Sequence, residues 1–90
     1  MNIELLKTIT ILYVEDEFSL QEDVYQNILP FVKEVITASD GRDGLESYLQ
    51  NKDKIDLVVS DILMPNMTGI EMNDEIRKID SGIPIIYHCI

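Results

Sequence analysis

Acidic side chains fall at two places in this 90-residue chain where a metal ion could be held. Glu15, Asp16 and Glu17 directly follow the apolar run at residues 9–14, and Asp61 follows the run at 57–59 and Ser60. If the two runs are neighbouring strands, their carboxylates converge. Carboxylates brought together repel and raise one another's pKa, so such a site is stable at neutral pH mainly when it holds a cation. An all-oxygen donor set points to Mg²⁺, which takes octahedral oxygen at ~2.0–2.1 Å and keeps several waters. The loop after Asp61 would add a backbone carbonyl. Acids after strands also act as helix caps and turn formers, and for Glu15 and Asp16 alone that reading stands beside the metal one. Asp61 favours the metal, because the Ile62-Leu63-Met64-Pro65 that follows is no polar turn. Pro65 constrains its predecessor and Gly69 allows an unusual backbone angle, so the loop has a specified shape.

The elements that must position these acids are legible in the hydropathy pattern. Short β-rich runs recur at 9–14, 35–38, 57–59 and 83–87. The three intervals between them carry helical spacing, so the order is βαβαβαβ. In the first interval Leu20, Val24 and Ile28, with Leu29 adjacent, form an apolar stripe among Gln21, Glu22, Asp23 and Gln26, and Pro30 closes the helix. In the second, Asp40 is the expected N-cap, Leu45, Tyr48 and Leu49 are the stripe, and Asn51 with Lys52 marks the end. In the third, Met72, Ile76 and Ile79 share a face before Ser81, Gly82 and Pro84. The runs at 9–14 and 57–59 are continuously apolar rather than alternating, which predicts a parallel sheet with helices on both faces. Sheets of this class present reactive side chains at the carboxyl ends of their strands, where these acids lie.

Composition narrows the function. An apolar fraction of 46% with 27% charged residues predicts one soluble globular domain over residues 1–90. No apolar run approaches the ~20 residues that span a bilayer, and there is no signal-peptide layout, so a cytoplasmic location is the expectation. Seventeen acids against seven bases give a net charge of −10, which argues against direct nucleic-acid binding and for a cationic partner. The lone Cys89 cannot form an intrachain disulfide, and with the single His88 it cannot complete a structural zinc site.

Taken together, Ile11-Leu12-Tyr13-Val14-Glu15-Asp16-Glu17 and Asp61-Ile62-Leu63-Met64-Pro65 with Gly69 resemble the receiver domain of bacterial two-component response regulators. Asp40-Gly41 with Gly44, and Ile83-Pro84-Ile85-Ile86, look like the same family. The resemblance spans nearly the whole chain. It implies a flavodoxin-like doubly wound sheet of order 2-1-3-4-5, here incomplete and lacking the last βα units. It also implies that Asp61 takes a phosphoryl group from the phosphohistidine of a sensor histidine kinase or phosphotransfer protein. Asp16, Asp61 and the backbone carbonyl of Leu63 would ligate Mg²⁺ directly, with Glu15 acting through a water. The chain would be a phosphoacceptor, not a turnover enzyme.

Four departures from the family pattern shape the remaining expectations. Glu15 stands where Asp is commoner. Cys89 falls at the switch position usually held by Thr or Ser, and a thiol is a poor donor. The family's later lysine has no counterpart before Ile90, and His88 sits where an apolar residue is usual. The lost Thr or Ser and the lost Lys favour an alternative, a receiver-like interaction module that is not phosphorylated, while Asp61 and Asp16 favour the phosphoacceptor. An open fourth-strand edge with Ile85, Ile86 and Tyr87 predicts a homodimer or domain-swapped assembly. A Mg²⁺-dependent phosphohydrolase ranks third, because position 63 is Leu and the Asp-x-Asp arrangement of such enzymes is missing.

Overall fold

The computed structural model describes residues 3–62, 64 and 66–88. The expectations placed on Leu63, Pro65 and Cys89 therefore lie outside the described residues. In chain order the elements are α1 (Ile3–Leu6), β1 (Thr10–Val14), α2 (Phe18–Ile28), a 3-10 turn (Leu29–Phe31), β2 (Glu34–Ala38), α3 (Gly41–Asn51), β3 (Leu57–Asp61), α4 (Gly69–Ile79) and β4 (Ile85–His88). Among the described residues, the short α1 and the 3-10 turn have no counterpart in the hydropathy pattern. Among the described residues, no helix is long and apolar enough to cross a membrane.

All four strands are parallel, in the order β2-β1-β3-β4. The sheet is therefore the doubly wound arrangement expected, with β1 and β3 adjacent and reversal of strand order between them. Val14 pairs with Ala38 on one side and Ser60 on the other. Glu15 thus leaves β1 beside the last residue of β3, which is Asp61. Strand pairing carries Asp61 as far as His88 of β4, one step further than the apolar run alone suggests.

Alternation of side chains splits the core into two layers. Leu12, Val14 and Val58 point toward α3 and α4 and pack with Tyr48, Met72 and Ile76. Ile11, Tyr13 and Val35 face the other way, against Val24, Tyr25, Ile28 and Leu29 of α2 and its turn. β1 is buried at every position, as a central strand covered on both faces must be. β3 is not: burial alternates along it, with Val58 and Ser60 buried and Leu57 and Val59 half-exposed. The expected full coverage of β3 fails because α2 lies over β1 and β2 and reaches only part of that face.

The helical stripes are narrower than the spacing predicted. Tyr48, Met72 and Ile76 are buried, whereas Leu49 and Ile79 stay 48% and 45% exposed, on the margins of their helices. Gln21, placed by periodicity on the polar side of α2, is buried instead. Its amide donates to the carbonyls of Glu15 and Ala38 at 3.1 and 3.0 Å. Those carbonyls sit where the β1–β2 ladder ends: the buried amide supplies a donor to the Glu15 carbonyl and a second one to that of Ala38, which also accepts the Glu15 N–H at 3.0 Å.

Candidate functional site

Three of the acids singled out from the sequence meet at the carboxyl ends of the two central strands. Glu15, Asp16 and Asp61 each present an oxygen so placed that all three atoms lie within 4.8 Å of one another. Glu15 is buried, Asp61 half-buried and Asp16 exposed, so the site opens to solvent on the Asp16 side. Glu17 turns away: its side chain accepts from the Ser19 hydroxyl at 2.9 Å, while its N–H donates to Glu15 Oε2 at 3.1 Å. A surface groove lined by Met67, Glu71, Asp74, Glu75 and Lys78 includes none of the three site carboxylates.

Glu15 carries the electrostatic cost of the cluster. Burial pushes its carboxyl above the usual carboxylate range; the Glu17 N–H opposes this, while the Asp16 side chain and the charge of Asp61 add to it. Its Oε1 lies 3.5 Å from the Tyr13 hydroxyl. Tyr13 is pushed up to about 12, by burial first and then by the Glu15 carboxylate, so it remains a proton donor across the neutral range. The His88 ring stacks near Tyr13, with centroids 5.7 Å apart, and its Nε2 lies 3.5 Å from Glu15 Oε1. That nitrogen makes no hydrogen bond, so the contact is electrostatic and counts only when the imidazole is protonated.

The donor set fits a hard divalent cation. It is all oxygen, burial and then the neighbouring acids disfavour the charged form of Glu15 when no cation is bound, and its exposed side leaves room for water, which Mg²⁺ keeps. Softer metals such as Zn²⁺ and Cu²⁺ prefer nitrogen or sulfur donors, and His88 is not among the three grouped ligands.

The backbone around Asp61 is held closely. Asp61 Oδ1 accepts its neighbour's N–H from Ile62 at 2.7 Å, and its carbonyl accepts the Ser60 hydroxyl at 2.7 Å. The loop closes where Gly69 N donates to Ile62 O at 2.9 Å. Gly69 was expected to allow an unusual backbone angle, but no described glycine has positive φ; Asn66 does, at 69°. Gly69 is required for a different reason, the approach of its Cα to the Asp61 carbonyl, where a Cβ would fall at 2.1 Å. Asn is one of the few residues that adopts the left-handed region readily, so Asn66 carried a signal that the presence of a nearby glycine masked. Asp40 is the N-cap expected, accepting from Asp43 N at 2.8 Å, and it also binds Asn66. Spacing alone gave no hint of Gln21, Ser60 or Tyr13 in this neighbourhood.

A parallel doubly wound sheet with converging carboxylates at the ends of β1 and β3 defines an α/β domain built around an acidic pocket. The model of the response regulator receiver domain matches residues 11–89, and the chain belongs to that family. It is 36% identical over 86 residues to the probable transcriptional regulator ycf27 of Guillardia theta, covering 96% of this chain and 33% of that protein. Among solved structures, it resembles a response regulator receiver domain protein from Clostridium thermocellum at 30% identity and TM-score 0.82, covering 88% of this chain and 63% of that one. It also resembles a chain of the CheX-CheY-BeF3-Mg+2 complex from Borrelia burgdorferi, at 26% identity and TM-score 0.84, covering 97% and 66%. The chain thus spans about a third of that relative and about two thirds of those structures.

Proposed function

We propose that this chain is a phosphoacceptor in two-component signalling, with Asp61 as the residue modified. The observation that carries the reading is the convergence of Glu15, Asp16 and Asp61 within 4.8 Å at the carboxyl ends of adjacent parallel strands. Asp16, Asp61 and the Leu63 carbonyl would hold Mg²⁺ directly, and Glu15 would act through a water. A bound cation supplies neutralisation of charge on acceptor and phosphoryl oxygens in a loose, in-line transfer. An Asp61 carboxylate oxygen attacks phosphorus, the phosphorus–nitrogen bond of a partner's phosphohistidine breaks, and its electron pair stays on the imidazole. The donor is a sensor histidine kinase or phosphotransfer protein in the cytoplasm, and there is no turnover of a released substrate. The Borrelia structure, a CheX-CheY-BeF3-Mg+2 complex, supports the choice of ligand by likeness.

Incubation with acetyl phosphate and Mg²⁺, followed by intact mass measurement, tests this. A single phosphoryl adduct that Asp61→Asn abolishes is expected; an adduct retained by Asp61→Asn, or none in the wild-type chain, overturns it.

The edge strand supports a second reading, self-association. Among the described residues β4 pairs only with β3, and Ile86 is 52% exposed on it. An edge of this kind pairs readily with another chain. Sedimentation equilibrium is expected to show a homodimer or domain-swapped assembly, and a monomer at high concentration eliminates that reading without touching the first.

A further inference from the structure

We propose that Asp40 and Asn66 form a latch that positions the loop between β3 and α4 for cation binding, an inference that rests on the phosphoacceptor reading above. Asp40 Oδ1 caps α3 through the N–H of Asp43 at 2.8 Å, while Oδ2 accepts the side-chain amide of Asn66 at 2.7 Å. A helix cap needs only the first of these bonds. The second crosses to a different loop, and its ionised acceptor makes it a strong hydrogen bond.

The bond holds the one described residue outside glycine with a left-handed backbone, Asn66 at φ 69°. Immediately after it, Met67 lies flat on the first turn of α3: a Cβ added to Gly41 would fall 2.0 Å from the Met67 carbonyl oxygen. At the far end Gly69 N closes the loop on Ile62 O. Ile62, Asn66 and Met67 are therefore each tied, Asn66 to the N-cap of α3, Met67 to its first turn and Ile62 to the start of α4. This is the loop whose backbone carbonyl completes the cation's ligands in the proposed function. Groups that orient a ligand without touching the metal commonly change metal affinity by roughly 10- to 100-fold. Asp40 and Asn66 are positioning residues in this sense.

Two single variants and one exchange separate this role from a purely structural one. Asn66→Gly removes the amide yet accepts the left-handed backbone freely. Asp40→Ser keeps an N-cap but removes the oxygen that receives Asn66. Calorimetric titration of the whole chain with MgCl2 is expected to show the Mg²⁺ Kd raised roughly tenfold in each, with the metal-free Tm little changed. Combining Asp40→Asn with Asn66→Asp restores the bond with donor and acceptor exchanged, and is expected to return Kd to within about threefold of the original. Unchanged Kd in both single variants, or a Kd that rises only as Tm falls and is not rescued by the exchange, overturns the latch. If the wild-type chain binds no Mg²⁺ in an Asp61-dependent manner, the phosphoacceptor reading fails and the latch with it. If it binds and both single variants bind equally well, the latch alone fails.

Discussion

Gly69 stands against Asp61 so closely that a Cβ on Gly69 would fall 2.1 Å from the Asp61 carbonyl oxygen. The first turn of α4 therefore rests on the peptide of the proposed acceptor itself. Adding one methyl group forces backbone to move, and such overpacking costs ~1–3 kcal/mol. Ala is otherwise the better helix former by ~1 kcal/mol, so a gain in stability is what local propensity alone would give. Gly69→Ala is expected to lower Tm, and a melting curve at or above the wild-type value would show that the contact relaxes freely.

Removing one member of the acid cluster should stabilise the metal-free protein. Asp61 helps to raise the Glu15 carboxyl, which is the mark of like charges held together. Asp61→Asn is expected to add about 0.5–1 kcal/mol in EDTA, after allowing for solvent screening at this half-exposed position. The same variant should abolish stabilisation by Mg²⁺. Urea titrations with and without the cation check both signs.

The two shifted carboxylates bend the pH profile in opposite directions. Glu15 has a raised folded pKa, so between the ordinary carboxylate range and that value the native state binds more protons than the unfolded one. Stability of the metal-free chain then falls as pH rises through this window. Asp40 is lowered, chiefly by the Asp43 N–H and then by the Asn66 amide, so its contribution is present above the unfolded pKa and is lost as pH falls through the folded one. Glu15→Gln should flatten the upper limb and leave the lower intact. Denaturant midpoints across about pH 3–8 in EDTA read this directly, and an upper limb that persists in Glu15→Gln would assign it elsewhere.

Thr68 and Glu71 form a reciprocal capping box at the start of α4, with bonds of 3.1 Å in each direction. Thr68→Ala is expected to cost ~1 kcal/mol, or roughly 4–8 °C in Tm for a domain of this size. Circular dichroism melting measures it.

Met72 and Ile79 lie on the same helix and were expected to share its buried face, yet Met72 is fully buried and Ile79 is 45% exposed. Met72→Ala should cost ~2–5 kcal/mol, enough to unfold much of a small chain, while Ile79→Ala should stay within ~0.5 kcal/mol. Comparable losses from both would mean that Ile79 is covered in solution.

What was legible in the sequence was whatever depends on local chain chemistry. Apolar runs bounded by helical spacing gave the βαβ order, and the continuous burial of β1 followed from its lack of polar alternation. Asp40 declared itself as a cap because a carboxylate before a helix has few other local roles. The same logic failed for Gln21, whose burial depends on two strand-end carbonyls from different parts of the chain. It also failed for Leu49 and Ile79, because periodicity gives the direction of a stripe but not how far the neighbouring sheet extends beneath it.

By itself the sequence determined that acids follow the first and third strands and that Pro65 and Gly69 interrupt the chain after Asp61. Those are properties of residue type and order. Only the tertiary structure decided that β1 and β3 are neighbours, bringing Glu15, Asp16 and Asp61 within 4.8 Å. It also decided that Glu15 is buried while Asp16 is exposed, and that Asn66 rather than Gly69 takes the left-handed angle. Strand order, depth and loop contacts join residues distant along the chain, and they are set by how the packed layers share one core, which no local pattern encodes.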